Sequence, residues 1–406
     1  MRPQARGRGN RHDGRDAHGL GRRDFLRASA LAGASALAGA TVLGRAGAAF
    51  AAPAARRTKR VIFVAFAGGV RSRECIGTPA NIPNIMSIAE KGVVLPAVRA
   101  ANLGHYGAAL ALFTGCPDAQ GIRENARGEK PTIFEYLRKG TGLPAQEVWL
   151  STTAGAQTLN FSHSTNPRYG ADYGANLIST DGLFNAEFRD LVAKFGNAAP
   201  PSDAEADRVQ RLVRSLDDAG LEGTAGAGVR NDAETSLRIQ RYILEELRGD
   251  TADITGPGAG DAKSIRVARN LLRIFKPTLT AVVLQNADVA HGSFNAYVDV
   301  IRRNDTELGL LWKAVQDDPE LRDTTSILIA PEFGRDANLN ERNGLDHGDS
   351  SEDLGRIFLV AAGPDFKQGK TLATPVDSFD LCPTVAELLG TKTPDAQGKP
   401  LRALFA

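Results

Sequence analysis

Residues 61–69 read VIFVAFAGG, and this stretch decides the fold. Its first six residues are apolar and mostly β-branched or aromatic, with none of the polar alternation of a strand that has one face in water. A continuous apolar run that ends at a glycine pair is typical of a strand buried on both faces of a parallel sheet. Residues 279–284 (LTAVVL), 325–330 (TSILIA) and 357–361 (IFLVA) predict three more such strands.

Helical patterns lie between these strands. Residues 85–91 and 107–113 predict short helices, which Gly92 and Gly115 would close as C-terminal caps. Residues 294–315 carry apolar side chains along one stripe of a longer helix. Strands that alternate with helices predict a doubly wound α/β domain with a mostly parallel sheet.

The first 51 residues differ from the rest of the chain. Residues 22–27 read RRDFLR and precede an Ala- and Gly-rich stretch, residues 28–43, and a small-residue motif at residues 49–51. This pattern resembles a twin-arginine (Tat) export signal, and the alternative is an apolar surface helix behind a basic tail. The apolar stretch is too short and too weakly hydrophobic for a stable membrane anchor. We therefore expect residues 1–51 to be a signal read by the Tat translocase, and the protein to be periplasmic or secreted.

The charge of the chain is unevenly distributed. The formal net charge is +2, whereas residues 1–51 contain nine Arg and three Asp, so that the remaining residues carry −4. This balance does not favour binding to nucleic acid or to an anionic membrane surface. We expect residues 52–60 to be a linker and residues 61–406 to form the α/β domain, with a helical insertion or cap at about residues 180–275. Export also allows one disulfide among three cysteines, Cys75, Cys116 and Cys382.

Two histidines follow predicted strands at the same edge of the sheet. His291 lies three residues after Asp288 in the loop that follows residues 279–284, and His347 lies in the loop that begins near Glu332. Functional loops of a doubly wound sheet lie beyond the carboxyl ends of its strands, so these side chains can meet there. Imidazole nitrogen and carboxylate oxygen are the usual ligands of zinc, and an open site needs three of them. The alternative is that these residues are solvated parts of their loops.

Five segments along residues 58–406 carry a family resemblance. They are residues 68–92, 113–117 (FTGCP), 357–366, 377–390 (DSFDLCPTVAELLG) and 398–401 (GKPL). In this order they resemble the alkaline phosphatase/sulfatase superfamily, and residues 377–390 are similar to its DIAPTIAELLG element. The resemblance implies an alkaline phosphatase-like fold. It also implies hydrolysis of phosphate, sulfate or phosphonate esters at two metal sites that flank a Thr, Ser or Cys nucleophile.

The resemblance assigns metal ligands and also reveals departures from the family pattern. The residues that match the first metal site are Asp288, His291 and His347. At the second site Ala67 stands in place of the usual Asp and Phe333 in place of the usual His, while Glu332 keeps a carboxylate. Glu332 is expected to be a fourth ligand or to orient one. The resemblance therefore implies one divalent ion, zinc first, with calcium or manganese as alternatives.

The nucleophile position of the family is occupied by His105, because residues 100–113 contain no Ser, Thr or Cys. We expect His105 to be a phosphate or sulfate acceptor or a general base, and the alternative is a structural histidine that caps the following helix. Arg335 is expected to hold a substrate anion with both arms of its guanidinium, or to pair with a nearby aspartate, Asp336 or Asp346. His163 is interpreted as a solvated residue of a polar loop, and the alternative is that it lines the same cleft.

Two functions remain open from the sequence. The first is an exported metal-dependent hydrolase of a small anionic ester, in which water replaces the missing side-chain nucleophile. The second is a non-catalytic relative that binds an anionic or glycan ligand in the same cleft. Residues 332–335 with 346–347 form an EFGR…DH pattern that resembles a divergent exported branch of the superfamily, which agrees with the departures noted above.

Overall fold

One mixed sheet carries the fold, as seen in a computed structural model that describes residues 56–117, 122–153, 157–180, 251 and 253–406. Its strands are β1 (Arg60–Phe66), β2 (Gly92–Arg99), β3 (Val148–Thr152), β4 (Asn176–Ser179), β5 (Leu279–Leu284), β6 (Thr325–Pro331), β7 (Arg356–Ala362), β8 (Lys370–Thr371) and β9 (Val376–Asp377). Their order is β4-β3-β5-β1-β6-β7-β2-β8, and β9 pairs with β2. Only β7 runs against its neighbours among these strands, so the sheet is mostly parallel, as predicted.

Helices cover both faces of this sheet. They are α1 (Pro83–Glu90), α2 (His105–Thr114), α3 (Ile133–Thr141), α4 (Leu159–Ser162), α5 (Ala259–Ile274), α6 (Phe294–Asp317), α7 (Pro319–Arg322), α8 (Glu352–Gly355) and α9 (Leu381–Leu388). Alternate residues of β1 point to opposite faces: Phe63 packs in the core with α2, α3 and α9, and Val64 packs with α1, α5 and α6. Within the described residues no helix combines the length and the apolar character needed to cross a bilayer.

The four predicted strands are confirmed as β1, β5, β6 and β7, but Gly92 has a different role from the one predicted. α1 ends at Glu90 with Lys91 as its C-terminal cap, and Gly92 is the first residue of β2. A Cβ atom at Gly92 would lie 2.2 Å from the Ala361 carbonyl oxygen, so glycine is required for β2 to pair closely with β7. Gly115 does cap α2, with a φ of 72°.

Two of the predicted segments lie wholly or largely outside the described residues: the leader, residues 1–51, and the insertion at residues 180–275. The end of that insertion is described, and it contains α5. Ile265 and Leu272 of α5 are buried in the same core as Val64 of β1. The helix is therefore part of the α/β domain, where it covers the sheet face next to β5 and β3.

The two ends of the described chain lie side by side. The backbone N–H of Thr58 donates to the Asp365 carboxylate at 2.7 Å, and the N–H of Ala406 donates to the Asp365 carbonyl at 2.9 Å. The guanidinium of Arg56 lies 3.8 Å from the centre of the Phe405 ring. Both ends of the described chain thus lie where β1 begins, at the amino ends of the parallel strands.

Candidate metal centre

Close contacts between loops assemble a site beyond the carboxyl ends of β1, β5 and β6. Gly68 follows β1, and a Cβ atom there would lie 2.6 Å from the Gln285 carbonyl oxygen and 2.7 Å from the Asp288 nitrogen. A Cβ atom at Gly344 would lie 2.4 Å from the His291 carbonyl oxygen. Because glycine has no Cβ, the β1 loop and the loop before His347 can both press against residues 285–291.

Four side chains converge in this space: His105, Asp288, His291 and His347. Each offers one ligand atom, and these atoms all lie within 4.8 Å of one another. Oδ1 of Asp288 lies 3.1 Å from Nε2 of His105 and 3.3 Å from Nε2 of His291. In a tetrahedral zinc site with bonds of about 2.0–2.1 Å, neighbouring ligand atoms are about 3.3–3.4 Å apart. The two distances from Asp288 Oδ1 are therefore close to the spacing of neighbouring ligands in a zinc site.

Two of these imidazoles are oriented by carboxylates. Nδ1 of His105 lies 2.6 Å from Oε1 of Glu332, and Nδ1 of His291 lies 2.5 Å from Oδ1 of Asp346. When each Nδ1–H donates to its carboxylate, the Nε2 lone pair of each ring faces the cluster. Nε2 of His105 is buried and has no aligned hydrogen bond, in spite of its short distance to Asp288. If this nitrogen loses its proton, it can bind a cation together with the neighbouring Asp288 and His291.

The charges of the cluster are strongly coupled. Burial raises the pKa of Glu332 to about 7, although His105 opposes this shift. Burial disfavours the charged form of His105, but Glu332 and Asp288 outweigh it and raise the His105 pKa to about 10. The metal-free His105 ring is therefore protonated near pH 7 and must release its Nε2 proton to bind a metal ion. Burial and the neighbouring positive charges of His105 and Arg335 lower the pKa of His347 to about 4. The His347 ring is therefore neutral near pH 7, which is the form that binds metals.

Arg335 is placed differently from the prediction. Its side chain is fully buried, and its Nε and Nη1 groups donate to the carbonyls of Gly69 and Leu345, each at 3.2 Å. Nη2 donates to the Gly68 carbonyl and, at 2.6 Å, to Asp288 Oδ1. With these donors occupied, this geometry does not support a two-armed grip on a substrate anion. Arg335 instead holds the Asp288 carboxylate in place.

The positions that depart from the family pattern offer no metal-binding atoms. Phe333 is fully buried, and its ring centre lies 4.8 Å from that of His105 and 5.1 Å from that of His347. Ala67 is also buried. Glu332 lies behind His105, which agrees with the orienting role among its two predicted roles. These contacts are consistent with one metal ion rather than two.

The structure contradicts the helix-cap alternative for His105 and the solvated interpretation of His163. His105 is the first residue of α2 and its side chain contacts Glu332 and Asp288, so it does not act as a helix cap. His163 is buried rather than solvated, and its Nδ1 lies 2.9 Å from the Ser164 carbonyl oxygen. The His163 side chain is not among the four that form the cluster.

Two supporting residues escaped the sequence analysis. Asp346 was considered only as a partner for Arg335, although its position next to His347 could have suggested a role at the centre. Asp261, on α5, is fully buried and accepts hydrogen bonds from the N–H groups of Gln285 at 2.8 Å and Asn286 at 3.1 Å. It thereby anchors the loop that carries Asp288. A buried aspartate on a helix gives no sequence pattern that would have identified this contact.

Comparison with solved structures identifies the fold on which the four converging side chains are placed. No family profile matches the sequence, and no curated protein matches it. The structure of wild-type alkaline phosphatase PafA is similar at a TM-score of 0.55 with 11% identity, over 86% of this chain and 99% of that chain. A variant of PafA gives the same values. The phosphonate monoester hydrolase of Agrobacterium radiobacter has a TM-score of 0.48 and 13% identity, over 84% of this chain and 76% of that chain. The similarity to PafA shows that the protein has the alkaline phosphatase fold that its sequence motifs predicted.

Proposed function

We propose that the protein is a metal-dependent hydrolase of a phosphate, sulfate or phosphonate ester, exported by the twin-arginine route. The observation that supports this most is the convergence of four potential ligands, within 4.8 Å of one another, beyond the strand ends of an alkaline phosphatase fold. Open α/β sheets bind ligands at this edge.

One divalent ion, zinc in the first instance, would be held by Asp288, His291 and His347, with His105 as a fourth ligand. Such an ion supplies Lewis-acid chemistry, because it polarises the ester oxygen and makes a water acidic enough to attack near neutral pH. The side chains around it have holding roles. Glu332 and Asp346 keep the two imidazoles turned toward the centre, and Arg335 keeps the Asp288 carboxylate from rotating away.

One observation favours the second function, a non-catalytic relative that binds an anionic or glycan ligand. If His105 is a permanent ligand, three histidines and one aspartate fill a tetrahedral site, and structural zinc sites are closed in this way. A catalytic site needs a further position, through five-coordination or through departure of His105. The two functions therefore differ in activity and not in metal content.

Elemental analysis and an ester hydrolysis assay together test the proposal. The protein without its leader is saturated with zinc, freed of excess metal and measured by elemental analysis, where close to one ion per chain is expected. It is then assayed with aryl phosphate, sulfate and phosphonate esters. Hydrolysis of one class that His347→Ala abolishes would support the hydrolase, and one bound ion without hydrolysis would support the binding protein. Two tightly bound ions, or none, would contradict the one-metal site.

A further inference from the structure

A groove opens beside the candidate metal centre, between the start of α5 and the loop that follows β5. It has a volume of about 450 Å³, which is within the range of small-molecule pockets. Because Asp288 belongs both to the lining and to the cluster of four potential ligands, a substrate held at the centre can extend into this groove. The other lining residues are residues 256–260, Gln285, Asn286 and Val289.

A guanidinium lies at the rim of this groove. Arg303, on α6, extends its side chain along residues 256–258 of the lining. Its Nη1 donates to the Pro257 carbonyl at 2.6 Å, and a Cβ atom at Gly258 would lie 3.4 Å from Arg303 Cδ. The wall formed by residues 256–258 has only Gly and Pro, so no long side chain of this wall separates Arg303 from the groove.

The charge of Arg303 is not balanced by a carboxylate. The two acids one helical turn away on α6 pair with other residues: Asp299 lies 3.8 Å from Arg302, and Glu307 lies 3.0 Å from Arg266. Among the residues that the structure describes, no carboxylate forms an ion pair with Arg303. A guanidinium has five N–H donors, and a carbonyl occupies one of those of Arg303. The remaining donors can bind both oxygens of an oxyanion.

Asn286 adds neutral donors to the same groove. Its Oδ1 accepts the backbone N–H of Asp261 at 2.9 Å, which fixes the direction of the amide. Within the described ranges of the chain no hydrogen bond engages its Nδ2 group, so these two N–H donors are available to a ligand. Asp288 is the charged residue of the lining, and Arg335 already binds its carboxylate at 2.6 Å. The groove therefore offers donors and a positive charge to a ligand.

We propose that the groove binds a second oxyanion of the substrate, a carboxylate, sulfate or phosphate, and that Arg303 is the specificity-determining residue that recognises it. This inference rests on the proposed function and names the substrate class of the same site. In a monoester only the alcohol extends beyond the central phosphorus or sulfur, so the second oxyanion belongs to the leaving group. In the reaction the oxygen of water bonds to phosphorus or sulfur, and the bond to the leaving oxygen breaks. One water proton goes to that oxygen, which departs as an alcohol that carries the oxyanion.

A pair of esters that differ in charge and not in shape tests this inference. One carries a carboxylate on a phenyl leaving group, and the other carries the neutral carboxamide at the same ring position. We expect kcat/KM to be about tenfold higher for the carboxylate, because hydrogen bonds between charged groups are the strong ones. Arg303→Gln should lower this ratio about tenfold, and Arg303→Lys should retain part of it because the charge is kept. Arg302→Gln is the matched control: this residue donates to the Asn81 side chain instead, so the ratio should not change.

A binding measurement separates failure of this inference from failure of the proposed function. If the zinc-loaded protein hydrolyses no ester, the hydrolase proposal fails, but carboxyphenylphosphonate should still bind about tenfold more tightly than its carboxamide analogue in a calorimetric titration. Arg303→Gln should remove that difference, and Arg302→Gln should not. Thermal unfolding shows whether the variants fold, and Arg303→Lys decides if Arg303→Gln does not. Equal hydrolysis or equal binding of the charged and neutral compounds, or an unchanged preference in Arg303→Gln, would overturn the inference.

Discussion

A histidine can bind a metal ion through either ring nitrogen, and the partner of the other nitrogen decides which one is used. Here Glu332 faces Nδ1 of His105, and Asp346 faces Nδ1 of His291. The two carboxylates differ in exposure, since the side chain of Glu332 is fully buried and that of Asp346 is 38% exposed. If Asp346 is removed, water can replace it as the partner of His291, but water cannot reach the buried position of Glu332. Loss of Glu332 should therefore lower the zinc affinity more than loss of Asp346.

Glu332→Gln should weaken zinc binding by about 10- to 100-fold, because a neutral amide oxygen accepts the Nδ1 proton of His105 more weakly than a carboxylate does. Asp346→Asn should have a smaller effect. Competition with a chromogenic chelator measures both affinities. Glu135→Gln is the matched control: Glu135 is buried and accepts from the Thr132 and Ser164 N–H groups, but it is not in the cluster. Zinc affinity in Glu332→Gln equal to that of the parent would refute the orienting role.

His347→Ala should remove most of the zinc affinity with little loss of stability. Its ring lies 4.7 Å from that of His105 and 5.0 Å from that of His291, centre to centre, and its lowered pKa keeps it neutral. His347→Asp should restore part of the binding, because a carboxylate is also a zinc ligand. Elemental analysis and thermal unfolding measure the two quantities. His163→Ala is the control and should leave the zinc content as it is.

At the scale of single residues, the sequence patterns predicted which side chains converge better than they predicted the side chains that support them. Asp288, His291 and His347 were expected to meet because their loops follow parallel strands, and the structure brings them together. The position of Asp346 next to His347 pointed to the centre, but its contact with His291 was not predicted, because that contact depends on how the loop folds back over His291. Arg335 was misjudged for the same reason, since only the folded chain shows that carbonyl groups surround it.

At the scale of secondary structure, α5 is coupled to the loop of the metal centre through Asp261. Its carboxylate also accepts from the side-chain amide of Asn304 on α6, at 2.9 Å. Burial raises the pKa of Asp261 to about 6, although these hydrogen bonds oppose the shift. The folded pKa is above the unfolded value of about 3.9, so the folded state binds this proton more tightly. The stability that Asp261 contributes is complete below about pH 4 and is lost as the pH rises through 6.

Asp261→Asn should abolish this dependence, because an amide does not ionise. Between pH 5 and pH 7 the free energy of unfolding of the variant should gain about 1 kcal/mol relative to the parent. The Oδ1 atom of Asn304 has no hydrogen-bond partner in the native protein, so a turn of that amide can accept the new N–H group. Urea unfolding at the two pH values measures the difference. A difference that stays constant with pH would show that Asp261 does not titrate in this range.

The strands that the sequence predicted are long apolar runs. Two of the strands that it missed, β2 and β4, lack such a run. β2 contains Pro96 and a register shift between Leu95 and Val98, and proline within a run argues against a strand. β4 has only four residues. Both strands exist because neighbouring strands supply the hydrogen bonds and the buried faces, and this tertiary support is not visible in a local pattern.

At the scale of the whole molecule, the export that we propose would follow folding. Residues 22–27 resemble the signal of the Tat route, which carries folded proteins, so a metal ion bound by the folded chain would be exported with it. Replacing Arg22 and Arg23 together with Lys should leave the precursor in the cytoplasm, because the translocase reads that pair. Fractionation and immunoblotting measure the distribution. Replacing Arg6 and Arg8 with Lys preserves the same charge and is the control. Normal export of the Arg22/Arg23 variant would refute the assignment of the leader.

The adjacent ends of the described chain have a consequence for engineering. Arg56 and Phe405 are in contact at the edge where β1 begins, while the metal centre lies about 20 Å away, beyond the other end of this seven-residue strand. A short peptide can therefore join the two ends, and new termini can be opened in an exposed loop, as in circular permutation. The same arrangement allows immobilisation on a support through residue 406, with the candidate metal centre directed away from the support.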